Sequence, residues 1–182
     1  MILQVLISGI ALVLPHAAFA QTAPGITGPL TPGDHIFLYQ LAQEDKSEIN
    51  LAKLAIAKST NSQVQSYAKS ILDNDPAMGQ RAKTIAAQKR VIVPEVANTD
   101  QKARFDRLSE LSGAEFDKAY MQYEVQRQQQ ELQLIEQAAA AAQDQDVKNY
   151  AMNETPLVLK TAQTAKIIAS ALEPSTNGNQ PR

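Results

Sequence analysis

The sequence predicts an all-α fold, a four-helix bundle with a short extra connecting helix. Three observations carry this expectation. Between residues 34 and 172 Gly and Pro nearly vanish, while Ala, Gln, Leu, Lys and Glu dominate, a helical composition. Apolar residues recur at spacings that alternate between three and four, as a bundle seam requires. The periodic stretches are separated by short sequences that suit caps and turns.

Each element can be placed in turn. Asp34, behind Gly33, is the candidate N-cap of a first helix reaching about Ser59. Asn61 and Ser62 supply the break, and a second helix runs to about Arg90, with Pro94 closing the segment. After the linker VIVPEVANTD, Thr99 or Asp100 caps a short helix through Leu111. Ser112-Gly113 marks a bend before a long helix to about Gln143. Asp144 to Asp146 forms the last junction, and the final helix reaches Leu172 with Pro156 as a kink or local break. The glutamine-rich run QRQQQELQLIEQAAAAAQDQD keeps a helical face through Leu132, Leu134, Ile135 and Ala139, so it reads as ordered helix with its glutamines at the surface.

The flanking segments are of another kind. Residues 1–20 hold an apolar run, Ile2 to Leu14, then Pro15 and Ala18-Phe19-Ala20, the small-x-small pattern of a cleavage site before Gln21. This reads as a secretory signal peptide, although no Lys or Arg precedes the run. A retained anchor is the alternative, but the run is shorter than the ~20 apolar residues that span a bilayer. The expectation is therefore a periplasmic or secreted protein without membrane insertion after cleavage. Residues 21–33, rich in Pro and Gly, read as a flexible leader and residues 173–182 as a disordered tail, leaving 34–172 as one helical domain.

Composition narrows the function. With 17 basic and 19 acidic residues interspersed, and no basic run with aromatic neighbours, nucleic acid is not an expected partner. The chain has no cysteine, which removes disulfides, thiolate metal sites and a cysteine nucleophile. No phosphate loop, nucleophile elbow or Ser/His/Asp constellation appears. Of two histidines, His16 leaves with the signal and His35 reads as a solvated residue in the first helical turn.

The seams carry polar interruptions. In the second helix Val64, Ala68, Ile71, Asp75, Met78, Ala82 and Ile85 form one line, which points Asp75 inward. The fourth helix gives Met121, Val125, Gln128, Leu132, Ile135 and Ala139, and the fifth Glu154, Val158, Thr161, Ala165, Ile168 and Leu172. In the first helix Leu38, Leu41, Asp45, Glu48, Ala52 and Ala55 share a line that holds two carboxylates. Phe116, Tyr120 and Tyr123 recur at core spacing, and Asp117 reads as an anchor to Lys118, Arg107 or the Gly113 junction.

The motifs Glu48-Ile-Asn-Leu51, Ser66-Tyr-Ala-Lys-Ser70 leading into Asp73-Asn-Asp75, Leu111-Ser-Gly113-Ala-Glu-Phe-Asp117-Lys-Ala-Tyr120, and Tyr150-Ala151 followed by Thr155-Pro156-Leu157 are similar to those of an exported bacterial family, domain of unknown function 4142. The resemblance covers about Asp34 to Leu172 and implies a ferritin-like fold. It also implies histidines at three inward positions, which here hold Asp75, Gln128 and Thr161. The Glu-x-x-His pairs of ferritin-type sites are absent from the sequence.

Two functional readings follow. The first is a non-enzymatic helical bundle with a structural, stress-related or protein-interaction role, with no cofactor and an unidentified protein partner. The second is a ferritin-like protein that binds a hard or borderline metal through Glu48 and Asp75, with Asp45 or Glu154 as a further ligand. Asp75 has a competing explanation as N-cap of a new helical segment begun by Pro76. Gln128 and Thr161 can be satisfied by each other, by backbone or by buried water. Amphipathic membrane association is a weaker third class, since no helix opposes a basic face to bulky apolar residues.

Overall fold

The computed structural model describes residues 30–93 and 95–173, apart from the side chain of Asp75. The segment expected to be a signal peptide, most of the expected leader and nearly all of the expected tail lie outside these residues. Five helices follow one another: α1 (Pro32–Lys58), α2 (Ser62–Gln88), α3 (Thr99–Glu110), α4 (Gly113–Ala141) and α5 (Gln145–Ala171). Four long helices and a short connector thus match the expected plan, and the fold is an all-α, ferritin-like bundle.

The ends show how local chemistry sets the boundaries. Thr31, not Asp34, caps α1, and Pro32 takes the first turn, where a missing N–H costs nothing. The last residues of the expected leader therefore belong to the helix and its cap. Asp34 sits in the first turn, accepts the Thr31 hydroxyl at 2.9 Å and also accepts the Asp144 N–H at 3.2 Å. It ties the start of α1 to the start of α5. Asn61 caps α2 through the N–H groups of Gln63 and Val64 at 2.9 and 3.3 Å. For α3 the cap is Asn98, one residue before the expected pair, in a reciprocal box with Gln101. Gly113 adopts φ +56°, a left-handed conformation open to glycine, and turns the chain into α4. Lys58 secures the turn by donating to the Leu111 carbonyl at 2.8 Å.

Neither internal proline breaks its helix. α2 runs without interruption through Pro76, and α5 through Pro156. This corrects the reading of Asp75 as the N-cap of a new segment. Both prolines stand on exposed faces, so the carbonyl each deprives of an i→i−4 partner lies on the water side.

α1 pairs with α2, and α4 with α5, as antiparallel hairpins joined by short loops. Thinner contacts between α1 and α4 and between α2 and α5 close the bundle. The connector α3 runs alongside α1, with Gln101 donating to the Gln43 carbonyl at 3.3 Å at one end and Leu111 meeting Lys58 at the other. It returns the chain to the end where α1 stops, so α4 starts there and runs antiparallel to α1. At the opposite end Lys89, just past α2, bridges Asp144 and Asp146 at the start of α5 at 2.7 and 2.8 Å. Cation at a C-terminus and anions at an N-terminus both complement the helix dipoles. Burial opposes the Lys89 charge, but the hydrogen bonds it donates to these two carboxylates outweigh it and raise its pKa.

The apolar core is split in two. One cluster gathers Phe37, Leu38, Leu41, Met78, Ile135, Tyr150 and Val158, and the other Leu51, Tyr67, Ile71, Phe116, Tyr120, Met121 and Ile168. Phe116 stacks on Tyr120 at 5.9 Å, and Tyr67 meets Tyr120 edge-on at 6.4 Å. Between the clusters lies a layer of buried polar side chains.

The Asn61 cap yields a direct test. Asn61→Ala is expected to lower the unfolding free energy in urea by about 1 kcal/mol, and Asn61→Gly by only a few tenths. Equal losses from both substitutions would contradict the capping role.

Candidate functional site

The layer is built on Arg127. Its guanidinium, from the middle of α4, is 8% exposed and meets three carboxylates. Nη2 donates to Glu48 of α1, Nη1 donates to Glu131 at 2.9 Å, and Nε lies 3.5 Å from Glu124 Oε2. Glu124 and Glu131 lie one turn before and one turn after Arg127 on the same helix, so the periodicity of α4 delivers two of the three anions. Tyr67 of α2 donates its hydroxyl to Glu124 Oε2 at 3.1 Å, and Gln128 Nε2 donates to Glu48 Oε1 at 3.4 Å. The layer thus joins α1, α2 and α4.

Burial and charge oppose each other at these groups. Burial works against the Arg127 charge, but Glu48, Glu131 and Glu124 outweigh it and hold the guanidinium firmly protonated. At Glu124 desolvation prevails over Arg127 and Tyr67, so its carboxyl is raised above the usual 4.5. Burial likewise pushes the Tyr67 phenol well above 10.0. Glu124 Oε1 and Gln128 Oε1 accept no hydrogen bond from the described residues.

The expected metal ligands do not assemble. Glu48, Asp45 and Glu154 are all nearly buried, but each faces a basic residue of a different seam. Glu48 pairs with Arg127 between α1 and α4, and Asp45 Oδ2 with Lys83 of α2. Glu154 accepts both Nε and Nη2 of Arg81 at 2.8 and 2.7 Å. Among the described residues no three of His, Asp and Glu are grouped to hold a metal ion. Of the proposed ligand set of Glu48, Asp75, Asp45 and Glu154, the three described carboxylates each face a cation. The Asp75 side chain lies outside the described part of the molecule.

The other inward positions differ in what satisfies them. Thr161 donates to its own helix, to the Leu157 carbonyl at 3.0 Å, and Gln128 turns to Glu48, so the two do not satisfy each other. Phe116 and Tyr120 are core, as their spacing implies, whereas Tyr123 is half-buried beneath Arg104, whose guanidinium carbon lies 4.4 Å from the ring centre. Asp117 is buried but makes no ion pair with Lys118 or Arg107 among the described residues, and its Oδ1 accepts no hydrogen bond. The anchoring role expected of it is not seen. His35 is exposed, as a helix-start residue should be.

Sequence reasoning missed Tyr67, Glu124, Arg127 and Glu131. The seam assigned to α4 is buried at Met121, Gln128 and Ile135, but the buried face is wider and also takes in Phe116, Tyr120, Glu124 and Arg127. Continuing the aromatic spacing from Phe116 by fours and a three reaches Glu124 and Arg127, and that was the available signal.

A cleft opens beside this layer. It lies between α1 and α4, has a volume of about 480 Å³, and reaches Gly79 of α2 and Tyr150 of α5. Asp45 rests directly on Gly79, where a Cβ would overlap the carboxylate. The missing side chain is what lets Asp45 turn inward.

The arrangement has two measurable consequences. Arg127→Met leaves buried carboxylates without their cation and is expected to cost about 3–5 kcal/mol of stability, read by chemical denaturation. A loss below about 1 kcal/mol would show that the layer does not rest on this charge. Glu124 supplies the pH test. Its folded pKa exceeds its unfolded one, so the native state binds the extra proton, and stability falls as pH rises from 4.5 through the folded pKa. The stability of the Glu124→Gln protein relative to wild type is expected to grow across that window; a difference that stays constant with pH would contradict the assignment.

The comparisons with known proteins follow the same lines. No match is found among curated proteins. Among solved structures the chain is similar to the crystal structure of a DUF305 fragment from Deinococcus radiodurans, with a TM-score of 0.68 at 14% identity, covering 79% of this chain and 99% of that one. At that identity the likeness speaks for the fold alone. The family model described as domain of unknown function DUF4142 matches residues 19–168, most of the chain, and the protein belongs to that family.

Proposed function

We propose that the protein is an exported, periplasmic helical-bundle scaffold whose role is non-enzymatic, in envelope structure, stress response or protein interaction. The observation that carries this reading is that the buried carboxylates Glu48, Asp45 and Glu154 each face a cation from another helix. Arg127, Lys83 and Arg81 supply the positive charge at the buried carboxylates, so the layer serves to hold helices together. Export is supported by the apolar run from Ile2 to Leu14 and the Ala18-Phe19-Ala20 site. Among the described residues no helix is long and apolar enough to cross a membrane.

The reading is tested on the untagged protein. It is expected to be recovered from the periplasmic fraction with Gln21 at its N-terminus, and to carry no stoichiometric metal. Its melting temperature is expected to be indifferent to added Mg²⁺, Ca²⁺, Mn²⁺ and Zn²⁺. A stoichiometric ion, with a rise in melting temperature that Glu48→Gln or Asp75→Ala abolishes, would replace the scaffold with the carboxylate metal-binding alternative.

A further inference from the structure

We infer that α3 is a strap that opens by itself while the four long helices stay packed, and that its opening takes away one wall of the cleft between α1 and α4. The observation that carries this is how little of α3 is held. Of its twelve residues only Gln101 and Leu108 are buried. Buried apolar area resists local opening, and here a single leucine supplies most of it. The remaining links are polar. Gln101 donates to the Gln43 carbonyl at 3.3 Å, and Arg104 donates to the Tyr123 hydroxyl at 2.8 Å and stands 3.9 Å from Glu44.

Both ends of α3 permit the motion. On the way in, Glu95 to Asp100 is exposed at every residue. On the way out, Gly113 at φ +56° has no neighbour within 4 Å of where a Cβ would stand, so the turn into α4 is sterically open. Lys58 grips the Leu111 carbonyl at 2.8 Å and marks where the opening stops. Once detached, a twelve-residue helix is marginal in water, so the open strap melts despite its Asn98–Gln101 box. The rest of the bundle does not depend on it. α1 meets α4 and α2 meets α5 directly, and the Arg127 layer draws on α1, α2 and α4 alone. Opening withdraws Leu108 from the cluster it shares with Leu51, Phe116 and Tyr120. It also lifts Arg104 from Tyr123, and because both line the cleft, the mouth widens beside Arg127.

The experiment is native-state amide hydrogen exchange of the untagged protein, read by mass spectrometry. Amides of residues 99–110 are expected to exchange at least about a hundredfold faster than those at the centres of the four long helices. Two substitutions separate local from global opening. Leu108→Ala, which empties the strap's own seat, is expected to speed α3 exchange about thirtyfold. Val158→Ala lies in the other apolar cluster, on α5, and weakens the bundle without touching the strap. It is expected to speed the core amides about tenfold and leave α3 unchanged. If that variant does not fold, wild type in urea below its transition decides: core exchange rises with urea, and α3 exchange does not. Protection of α3 equal to that of the core overturns the inference. So does an acceleration of α3 that matches the core in Val158→Ala or in urea, or α3 exchange that Leu108→Ala leaves unchanged.

Discussion

A single buried guanidinium constrains the rest of this bundle. Arg127 lies between two apolar clusters, and removing it from water is tolerable because carboxylates of α1 and α4 converge on it. Those carboxylates in turn are tolerable because Arg127 is there. The helices that carry them are therefore tied in axial register: a one-turn slip of α1 that brought Leu51 or Ala52 to this level would carry Glu48 away from the cation and set an aliphatic residue against it. Apolar packing alone would tolerate such slips more readily, since one Leu or Ala layer resembles the next. The polar layer thus contributes a unique alignment more than raw stability, and the desolvation it imposes is met by the clusters on either side.

The same layer explains why α1 and α4 stand apart. Side chains such as Glu48, Glu131 and Arg127 are long and charged, and they cannot interdigitate as Leu and Ala do across α4 and α5. The separation leaves a concavity whose floor is another helix, at the one position where α2 has no side chain. Gly79 would be a weak choice for a helix interior on propensity alone. Its presence is explained by Asp45, which occupies the volume that a methyl group would take.

Much of the fold was legible because its causes are local. The breaks at Asn61, Gly113 and Asp144 are capping and turn chemistry, which a sequence displays directly. Boundaries moved by one to three residues where two caps competed, as at Thr31 against Asp34 and Asn98 against Thr99. The prolines misled for the opposite reason: whether Pro76 ends a segment depends on which side faces water, a tertiary fact. At the site, Glu48, Asp45 and Glu154 were correctly sent inward by phase, but their partners were not legible. Arg127 lies in a glutamine-rich run that reads as solvated surface, and only the aromatic face begun at Phe116 betrays that this arc of α4 is buried. Nothing in the spacing could announce that each inward carboxylate meets a cation from another helix, because those pairs depend on how the helices are arranged about one another.

The division of labour between apolar and polar contacts favours an order of assembly. Within each hairpin the partners are close in sequence and meet mainly through small and aliphatic side chains. Between hairpins the two apolar clusters are supplemented by polar links: Glu48 with Arg127, Tyr67 with Glu124, Arg81 with Glu154, and Lys89 with Asp144. Low-contact-order hairpins form quickly, whereas docking them requires stripping water from Glu48, Glu124 and Arg127 together. The two hairpins are therefore the units expected to form first, and their docking, which buries Arg127 and Glu124, is the step expected to be slow.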